Sequence, residues 1–375
     1  MQTFDSDEYY DLVILPDSSS NDYVYHEDLG KIGTKCLILD HHEIEADTKI
    51  SDYVVIINNQ SSLNYPNKEL TGAGVTWQFC RYLDIYHYNT CYNDDLIDLA
   101  ALGICGDMGS ILNIENRYIM HEGFNNIKNY LFECAIEKQS YSLGDKLTPI
   151  GVAFYIVPMM NAMIRVGTQD EKERLFLGFI DGHRQVPCNK RGAKGTTEEV
   201  AIESLRECTN AKSKQNRITD QMVDKLEQKI YKNDLLENKI LFVRLDDEDD
   251  FPSEVTGLIA MKMAARYKRP TIIARLNEEG YDKGSIRNVN DCELGDLKAF
   301  LNESGYFEWV QGHANAAGAC ILDSKLKAFH DYANEKLSNI NFNEGVYNVN
   351  FTREPDAYDL DKLIFELMKD NEIYG

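Results

Sequence analysis

Apolar and polar positions fall in blocks along this chain. Three short apolar runs, "YDLVILPD" (10–17), "KCLILDHH" (35–42) and "YVVIIN" (53–58), each close on polar residues. Continuous apolar runs of that length predict strands buried on both faces. "GAGVTWQFCRYL" (72–83) and "DDLIDLAALGICGDM" (94–108) carry apolar positions at helical spacing. Strands alternating with helices predict a buried parallel sheet, and in such sheets functional groups gather at the carboxyl ends of strands. Asp17 and the triplet Asp40–His41–His42 stand at two such ends.

Residues 120–232 read as mainly helical. Within them, 196–232 opens on Thr196 and Thr197 with acids in the first turn, a helix-start signal, and then runs on as one long helix or two joined end to end. A second α/β unit follows, with strands expected at 238–245, 270–276 and 318–323 and helices at 251–267, 296–304 and 325–337. The tail from about 345 predicts one more strand and a helix.

At 375 residues the chain is too long for one small core and fits two domains. No run approaches the roughly 18–20 apolar residues of a membrane span, and the acidic start "MQTFDSDEYYD" resembles neither a signal nor a transit peptide. A cytoplasmic location away from membranes is the expectation. The nine cysteines are scattered, without a C-x-x-C pair, and read as reduced core thiols. A net charge of −23 argues against broad electrostatic binding of nucleic acid. One local exception is "GHRQVPCNKRGAKG" (182–195), where Arg184, Lys190, Arg191 and Lys194 occur with no acid between them. A mobile surface loop is an equal reading of that stretch.

Asp17, Asp40, His41, His42 and Asp107 form the candidate constellation. Carboxylate plus imidazole suits hard to borderline divalent ions, with Mn²⁺ and Mg²⁺ favoured where no thiolate takes part. Any one of these aspartates alone would more often be a cap or turn residue, and a lone His-His pair is a weak signal. Trp77, Phe79 and Tyr82 read as core rather than as a base-stacking platform.

The ordered set "LILPDSSSND", "LILDHHE", "LTGAGVTW", "DLAALGICGDMGSI", "GSIRN" and "QGHANAAG" resembles the DHH phosphoesterase superfamily with its DHHA1 domain. "LTGAGV" and "PMMNAMIRVG" (158–167) make it most similar to RecJ-type single-strand-specific exonucleases. The resemblance implies an α/β fold: a parallel-sheet DHH domain (1–140), a helical connector (141–232), a smaller α/β DHHA1 substrate-binding domain (233–340) and the start of a C-terminal extension (341–375). It implies Asp17 bridging two Mn²⁺ or Mg²⁺ ions, His41 and Asp107 as further metal ligands, His42 beside the scissile phosphate and Asp40 supporting the histidines. It also implies Arg165, Ser285, Arg287, Gly312 and His313 as the groups that receive substrate phosphates. Arg165 could instead pair with Asp170 or Glu171, and Gly312–Gly318 could be only a tight strand entry.

The implied activity is hydrolysis of single-stranded DNA, from a 5′ end, in recombination and repair. Three alternatives stay open: a catalytically silent nucleic-acid-binding or scaffold homologue, a phosphodiesterase acting on short oligonucleotides, and an inert fragment without independent function. The family's first motif, a strand ending in D-x-D, is not matched. Asp5-Ser6-Asp7 lies before a strand and too close to Asp17, and Asp246–Asp250 lies in the other domain. The expectation is that one metal site is incomplete, that a sheet edge is exposed, and that a separately encoded N-terminal fragment, as in an interrupted phage gene, supplies the missing carboxylates. Gln311 stands where the family has a glycine, and "FPSEVTGLIA" lacks the family's histidine.

Overall fold

The three N-terminal apolar runs form β1 (Leu12–Pro16), β2 (Lys35–Asp40) and β3 (Val54–Asn58), a parallel sheet in the order β1-β2-β3. In this computed structural model the described residues are 10–45, 47–193, 195–246, 252–290, 292–343 and 357–369. β2 is the central strand and buries Cys36, Ile38 and Leu39. The expectation of burial on both faces holds for β2 and not for its neighbours. Leu12 and Ile14 of β1 are 49% and 52% exposed, and Val55 of β3 is 61% exposed. A three-stranded sheet has one interior strand, so continuous apolarity in the other two does not ensure cover.

The helix α1 (Tyr23–Lys31) lies between β1 and β2 in sequence. α2 (Gly72–Leu83) has the expected bounds, and α3 (Ile97–Gly106) follows a 3₁₀ turn at Tyr92–Leu96. α2 and α3 approach closely because Gly103 has no side chain: a Cβ there would lie 2.3 Å from Cβ of Ala73. Trp77 is buried and donates to the carbonyl of Asn93 (2.9 Å), as a core tryptophan should. Tyr82, by contrast, is 52% exposed. It sits in the last turn of α2, just before a π turn at Asp84–Tyr88.

α4 (Ile114–Asn125) and α5 (Tyr130–Lys138) lead to a continuous helical stretch, α6 (Pro149–Val166), with a π turn inside it. Contrary to the sequence reading, α6 is long and apolar enough, by length and composition, to cross a membrane. It is 44% buried within the protein, with Val152, Ile156, Met160 and Met163 in the core. Helices hydrophobic enough for a bilayer are also found at the centre of large folds.

α7 (Gln169–Ile180) starts in a capping box between Thr168 and Glu171. Next come two short antiparallel strands, β4 (Gln185–Pro187) and β5 (Thr197–Glu199), and the long α8 (Val200–Lys232). Thr196 and Thr197 therefore do not open the helix, as their sequence suggests. The first helical N–H groups find tertiary acceptors instead: Val200 donates to the Arg184 carbonyl (2.8 Å) and Ala201 to that of Gly182 (3.1 Å).

The chain divides into two compact units. Unit 1 holds the described residues up to Asn161, Thr168–Thr209 and the terminal helix; unit 2 holds Ala162–Gly167 and the residues from Asn210 through 343. The expected connector 141–232 does not stand apart, and its residues belong to both units. The reason is burial along the whole of α8, where Val200, Leu205, Met222, Leu226 and Ile230 are all covered.

Unit 2 contains a five-stranded sheet in the order β6-β7-β8-β10-β9, formed by β6 (Leu241–Leu245), β7 (Thr271–Leu276), β8 (Tyr281–Arg287), β9 (Phe307–His313) and β10 (Ala316–Leu322). β6 and β7 are parallel and the other pairs antiparallel. The helices α9 (Thr256–Tyr267), α10 (Leu297–Glu303) and α11 (Leu326–Lys336) match the expected positions. β8 and β9 carry no apolar run and were not legible as strands. The strand expected after residue 345 lies outside the described residues; the helix expected there is α12 (Ala357–Lys369).

One face of this sheet packs Ile286, Val310 and Ala319 against Leu297, Leu301 and Phe329. Phe329 is fully buried, with its ring edge-to-face on Phe307 at 4.9 Å. Phe329→Ala should destabilise unit 2 by about 3–5 kcal/mol, the usual cost of deleting a buried aromatic ring. Urea unfolding followed by hydrogen exchange in β8–β10 measures it; a change under about 1 kcal/mol would contradict this packing.

Candidate metal centre

Parallel strands expose their carboxyl-terminal ends on one edge, which brings the ends of β1 and β2 together. Leu15 lies opposite Ile38 and Pro16 opposite Leu39, so Asp17 follows directly beside Asp40 and His41. The Asp17 backbone leaves the strand in the left-handed region (φ 58°) and donates to the Leu39 carbonyl at 2.8 Å. Its carboxylate lies over the first turn of α2. A Cβ on Gly72 would sit 2.1 Å from Asp17 Oδ1, so only glycine at 72 admits the carboxylate in this position.

Asp40 is completely buried and engages four donors. Oδ1 accepts from the backbone N–H of His41 (2.8 Å) and of His42 (3.3 Å) and meets His42 Nδ1 at 2.8 Å; Oδ2 accepts from the Ser20 N–H at 3.1 Å. Burial alone would push this carboxyl up, but the bonds from His42, Ser20 and the two backbone N–H groups outweigh it and hold Asp40 well below the usual carboxylate range. The same contact acts on His42. The Asp40 hydrogen bond raises its pKa against the effect of burial, and the charges of Asp40, Asp17 and Asp107 add to the rise.

Asp107 follows the last residue of α3, and its N–H donates to Gly103. Its carboxylate reaches His41: Nε2 of His41 lies 3.3 Å from Asp17 Oδ1 and 3.4 Å from Asp107 Oδ2. These separations are long for an imidazolium bonded to two carboxylates, which runs about 2.7–2.9 Å. They are close to the roughly 3.0–3.4 Å expected between ligand atoms that each lie about 2.1 Å from one shared ion. The imidazole is 9% exposed, whereas the side chains of Asp17 and Asp107 are 62% and 45% exposed, so the cluster opens to solvent on the carboxylate side. Asp17, His41 and His42 also offer ligand atoms within 4.8 Å of one another. The donor set and its spacing fit a divalent cation with oxygen preference.

Two residues at this edge were not singled out from the sequence. Asn58, at the end of β3, donates from Nδ2 to Ser20 Oγ (3.1 Å) and to the His42 carbonyl (2.8 Å), fixing the turn after Asp40. Its position, a polar residue closing an apolar run, was the same signal that marked Asp17 and Asp40. Ser20 had no such signal; its role depends on a loop conformation that includes Ser19 at φ 80°.

The second expected group of residues lies in unit 2. Across three neighbouring strands Arg287 (β8), Ala316 (β10) and His313 (β9) share a row, and Ser285, Gly318 and Gln311 share the row two residues away. Opposed residues in a sheet project from the same face, so Ser285, Arg287, Gln311 and His313 border Ala316 and Gly318, and the Trp309 ring lies over Gly318, 3.2 Å from where a Cβ would be. Gly312 adopts φ 130°, where a Cβ would lie 2.9 Å from the Ala317 backbone, so it permits the close β9–β10 approach, as a tight strand entry requires. Thr256 Oγ1 and Ser285 Oγ are 2.9 Å apart, and the Arg287 guanidinium lies over Gly257, where a Cβ would meet it at 2.6 Å.

Burial lowers the pKa of Arg287 and the Arg165 charge adds to that effect; burial lowers Arg165 as well. Glu171 is taken up by its capping box, and among the described residues Arg165 makes no ion pair with it or with Asp170. Two partly desolvated guanidiniums close enough to repel, beside two hydroxyls, constitute an anion-seeking surface.

A third cluster, Cys188, Glu198 and Glu203, offers ligand atoms within 4.8 Å of one another. Its centre is taken by Arg206, whose Nη2 bonds both carboxylates and lies 3.7 Å from Cys188 Sγ. All nine cysteines are free thiols.

No protein-family model matches the chain. Among curated proteins it is 38% identical over 347 residues to the putative SPbeta prophage-derived single-strand DNA-specific exonuclease YorK of Bacillus subtilis (strain 168), covering 91% of this chain and 59% of that protein. It is 24% identical over 349 residues to the single-stranded-DNA-specific exonuclease RecJ of Escherichia coli (strain K12), covering 87% and 56%. The chain thus spans little more than half the length of these relatives. Among solved structures, RecJ from Thermus thermophilus in complex with Mn²⁺ matches with a TM-score of 0.70 at 19% identity, over 96% of this chain and 49% of that one. An exonuclease RecJ bound to manganese matches with a TM-score of 0.60 at 19% identity, over 88% and 76%. At that identity the likeness shows the fold.

The Asp40–His42 contact has a direct readout in the metal-free protein. Because the bond favours imidazolium, His42 keeps its charge above its unperturbed pKa of about 6.5 and loses it as pH rises through the raised value. Asp40→Asn should move the His42 midpoint back towards about 6.5 in an NMR titration of the ring protons. An unchanged midpoint would show that Asp40 does not set it.

Proposed function

We propose that the chain is a RecJ-like homologue in the DHH/DHHA1 phosphoesterase superfamily and that it hydrolyses phosphodiester bonds in single-stranded DNA with Mn²⁺ or Mg²⁺. The observation that supports the reading is the His41 imidazole on the carboxyl edge of a parallel sheet, with Nε2 3.3 Å from an Asp17 oxygen and 3.4 Å from an Asp107 oxygen, and with Asp17, His41 and His42 offering ligand atoms within 4.8 Å of one another. Asp17, His41 and Asp107 would hold the ion. A divalent ion bound there would lower the pKa of water and offset charge developing on phosphate oxygens.

The chain's own groups do the rest. Asp40 holds the His42 ring by Nδ1 and favours its charged form, so that Nε2 is the atom through which His42 would meet a phosphoryl oxygen. In unit 2, Arg287, Ser285 and His313, with Arg165, offer a fork, a hydroxyl and a ring to backbone phosphates. Cleavage from a 5′ end is part of this proposal, as is a role in DNA recombination or repair.

We also propose that a second ion needs further carboxylates, brought by a segment outside the described residues, in the same polypeptide or a separate one. The exposed Leu12 and Ile14 on β1 support this, since an added strand at that edge would cover them.

Two measurements test the reading. With excess Mn²⁺, labelled single-stranded DNA should be shortened, and Asp107→Ala should reduce the rate by at least about 100-fold with the fold intact. Hydrolysis that is indifferent to this substitution would sink the proposal. Calorimetry on the chain alone should count one tightly held Mn²⁺; two per chain would show that no further carboxylates are needed.

A further inference from the structure

The stretch 182–195 is legible in the sequence only as a basic loop that could equally be mobile. Its fold decides between those readings. The segment is a hairpin, β4 paired with β5, and its loop is pinned from within and from below. Cys188 N–H donates to the Thr196 carbonyl (3.0 Å), Ala193 N–H to that of Lys190 (3.0 Å) and Thr196 N–H to that of Ala193 (3.1 Å). Gly192 (φ 87°) and Gly195 (φ 90°) supply the left-handed turns.

Beneath the loop, the first turns of α8 present two buried glutamates. Glu203 accepts from the Asn189 N–H and Glu207 from Asn189 Nδ2, each at 3.2 Å. Arg174 holds Glu207 from the other side through two bonds, at 2.7 and 3.0 Å. Arg206 ties Glu203 to Glu198 of β5. At the other edge Tyr130 stacks on His183 at 3.7 Å and donates to Glu199 at 2.6 Å.

This foot has an electrostatic consequence. The acids of β5 and of the helix beneath the loop are already engaged: Glu198 and Glu203 by Arg206, Glu207 by Arg174, Glu199 by Tyr130 and His183. Among the described residues Arg184, Lys190 and Arg191 are exposed and pair with no carboxylate. Lys194 lies outside the described residues. A rigid, uncompensated cationic tip is out of keeping with a protein of net charge −23. Beyond about 10 Å the excess acid is screened at ordinary ionic strength, so the tip acts on what touches it.

We propose that this hairpin is a second contact for nucleic acid, gripping the phosphate backbone of the single strand away from the metal centre. Lys190 and Arg191 stand on the loop and Arg184 at the foot of β4, and they offer charge without a buried polar pocket. That chemistry suits a sequence-independent run of phosphates, and long strands benefit from it where short ones do not reach. The inference rests on the proposed single-stranded DNA substrate.

Lys190→Gln combined with Arg191→Gln tests it, both residues lying outside the metal centre and the unit 2 phosphate surface. Binding of a long single strand is titrated against salt in EDTA, so that no hydrolysis is needed. The slope of log K against log salt should become shallower by about 1.4, the loss of two phosphate contacts, with affinity near 0.1 M salt falling about tenfold or more. With Mn²⁺, hydrolysis of a few-nucleotide substrate should be unchanged and that of the long strand slowed at subsaturating concentration. An unchanged slope, or an equal loss on short and long substrates, overturns the proposal. If the wild-type chain hydrolyses neither substrate, the proposed function fails, while the salt slope in EDTA still decides the hairpin.

Discussion

A carboxylate with no access to water must be given hydrogen-bond donors by the protein, and Asp40 receives them from four groups. An ionised group buried without partners would cost several kcal/mol and would neutralise itself instead. Each of its donors therefore ties down a separate piece of the edge: the Ser20 N–H fixes the loop after β1, the His41 N–H orients the ring that faces Asp17 and Asp107, and His42 contributes both its backbone and its imidazole. Asn58 closes the arrangement from β3 by holding Ser20 and the His42 carbonyl. The three strand ends are one hydrogen-bonded unit with Asp40 at its centre.

What surrounds that unit is arranged for close approach. Gly72 makes room for the Asp17 carboxylate and Gly103 lets α3 come against α2, which places Asp107 across from His41. Asp17, Ser19 and Met108, none of them glycine, all lie in the left-handed region. Such conformations are uncommon in L-residues and persist where neighbouring contacts over-determine them. Here those contacts are the strand pairing and the Asp40 network on one side and the α2–α3 packing on the other. Backbone strain and ligand geometry coincide at this edge.

Unit 2 and the hairpin apply a different economy of charge. The protein is strongly acidic, yet among the described residues two groups of cations stand without a carboxylate partner: Arg165 and Arg287 near Ala316 and Gly318, and Lys190 and Arg191 on the hairpin loop with Arg184 at its foot. In the first, the positive charges are partly desolvated and weaken one another, which a bound phosphate would relieve. In the second, acids that would neutralise the tip are spent on internal pairs. A long-range field repelling nucleic acid is thus compatible with local contacts that hold it, because the field is screened and the contacts are not.

The ordered motifs of the sequence determined the α/β class, the resemblance to RecJ-type proteins, the positions of β1–β3, α2 and most helices of unit 2, and the nearness of Asp17 and Asp107 to His41. Those features are local: a run of apolar residues, a helical period, or a short motif whose chemistry lies in adjacent positions. What the tertiary structure decided is everything that depends on partners far away in the chain. β8 and β9 form from polar sequence because strands already present offer them a ladder. Thr197 enters a strand instead of opening a helix because Arg184 and Gly182 supply the first acceptors of α8. Ser20 acquires its role from a carboxylate 20 residues away, and Asn58 from Ser20 and the His42 carbonyl, 38 and 16 residues away. The basic stretch at 182–195 becomes a fixed hairpin because two glutamates on α8 are buried beneath it. A residue type announces which bonds it can make, but which bonds it does make is settled by what the fold leaves unsatisfied beside it.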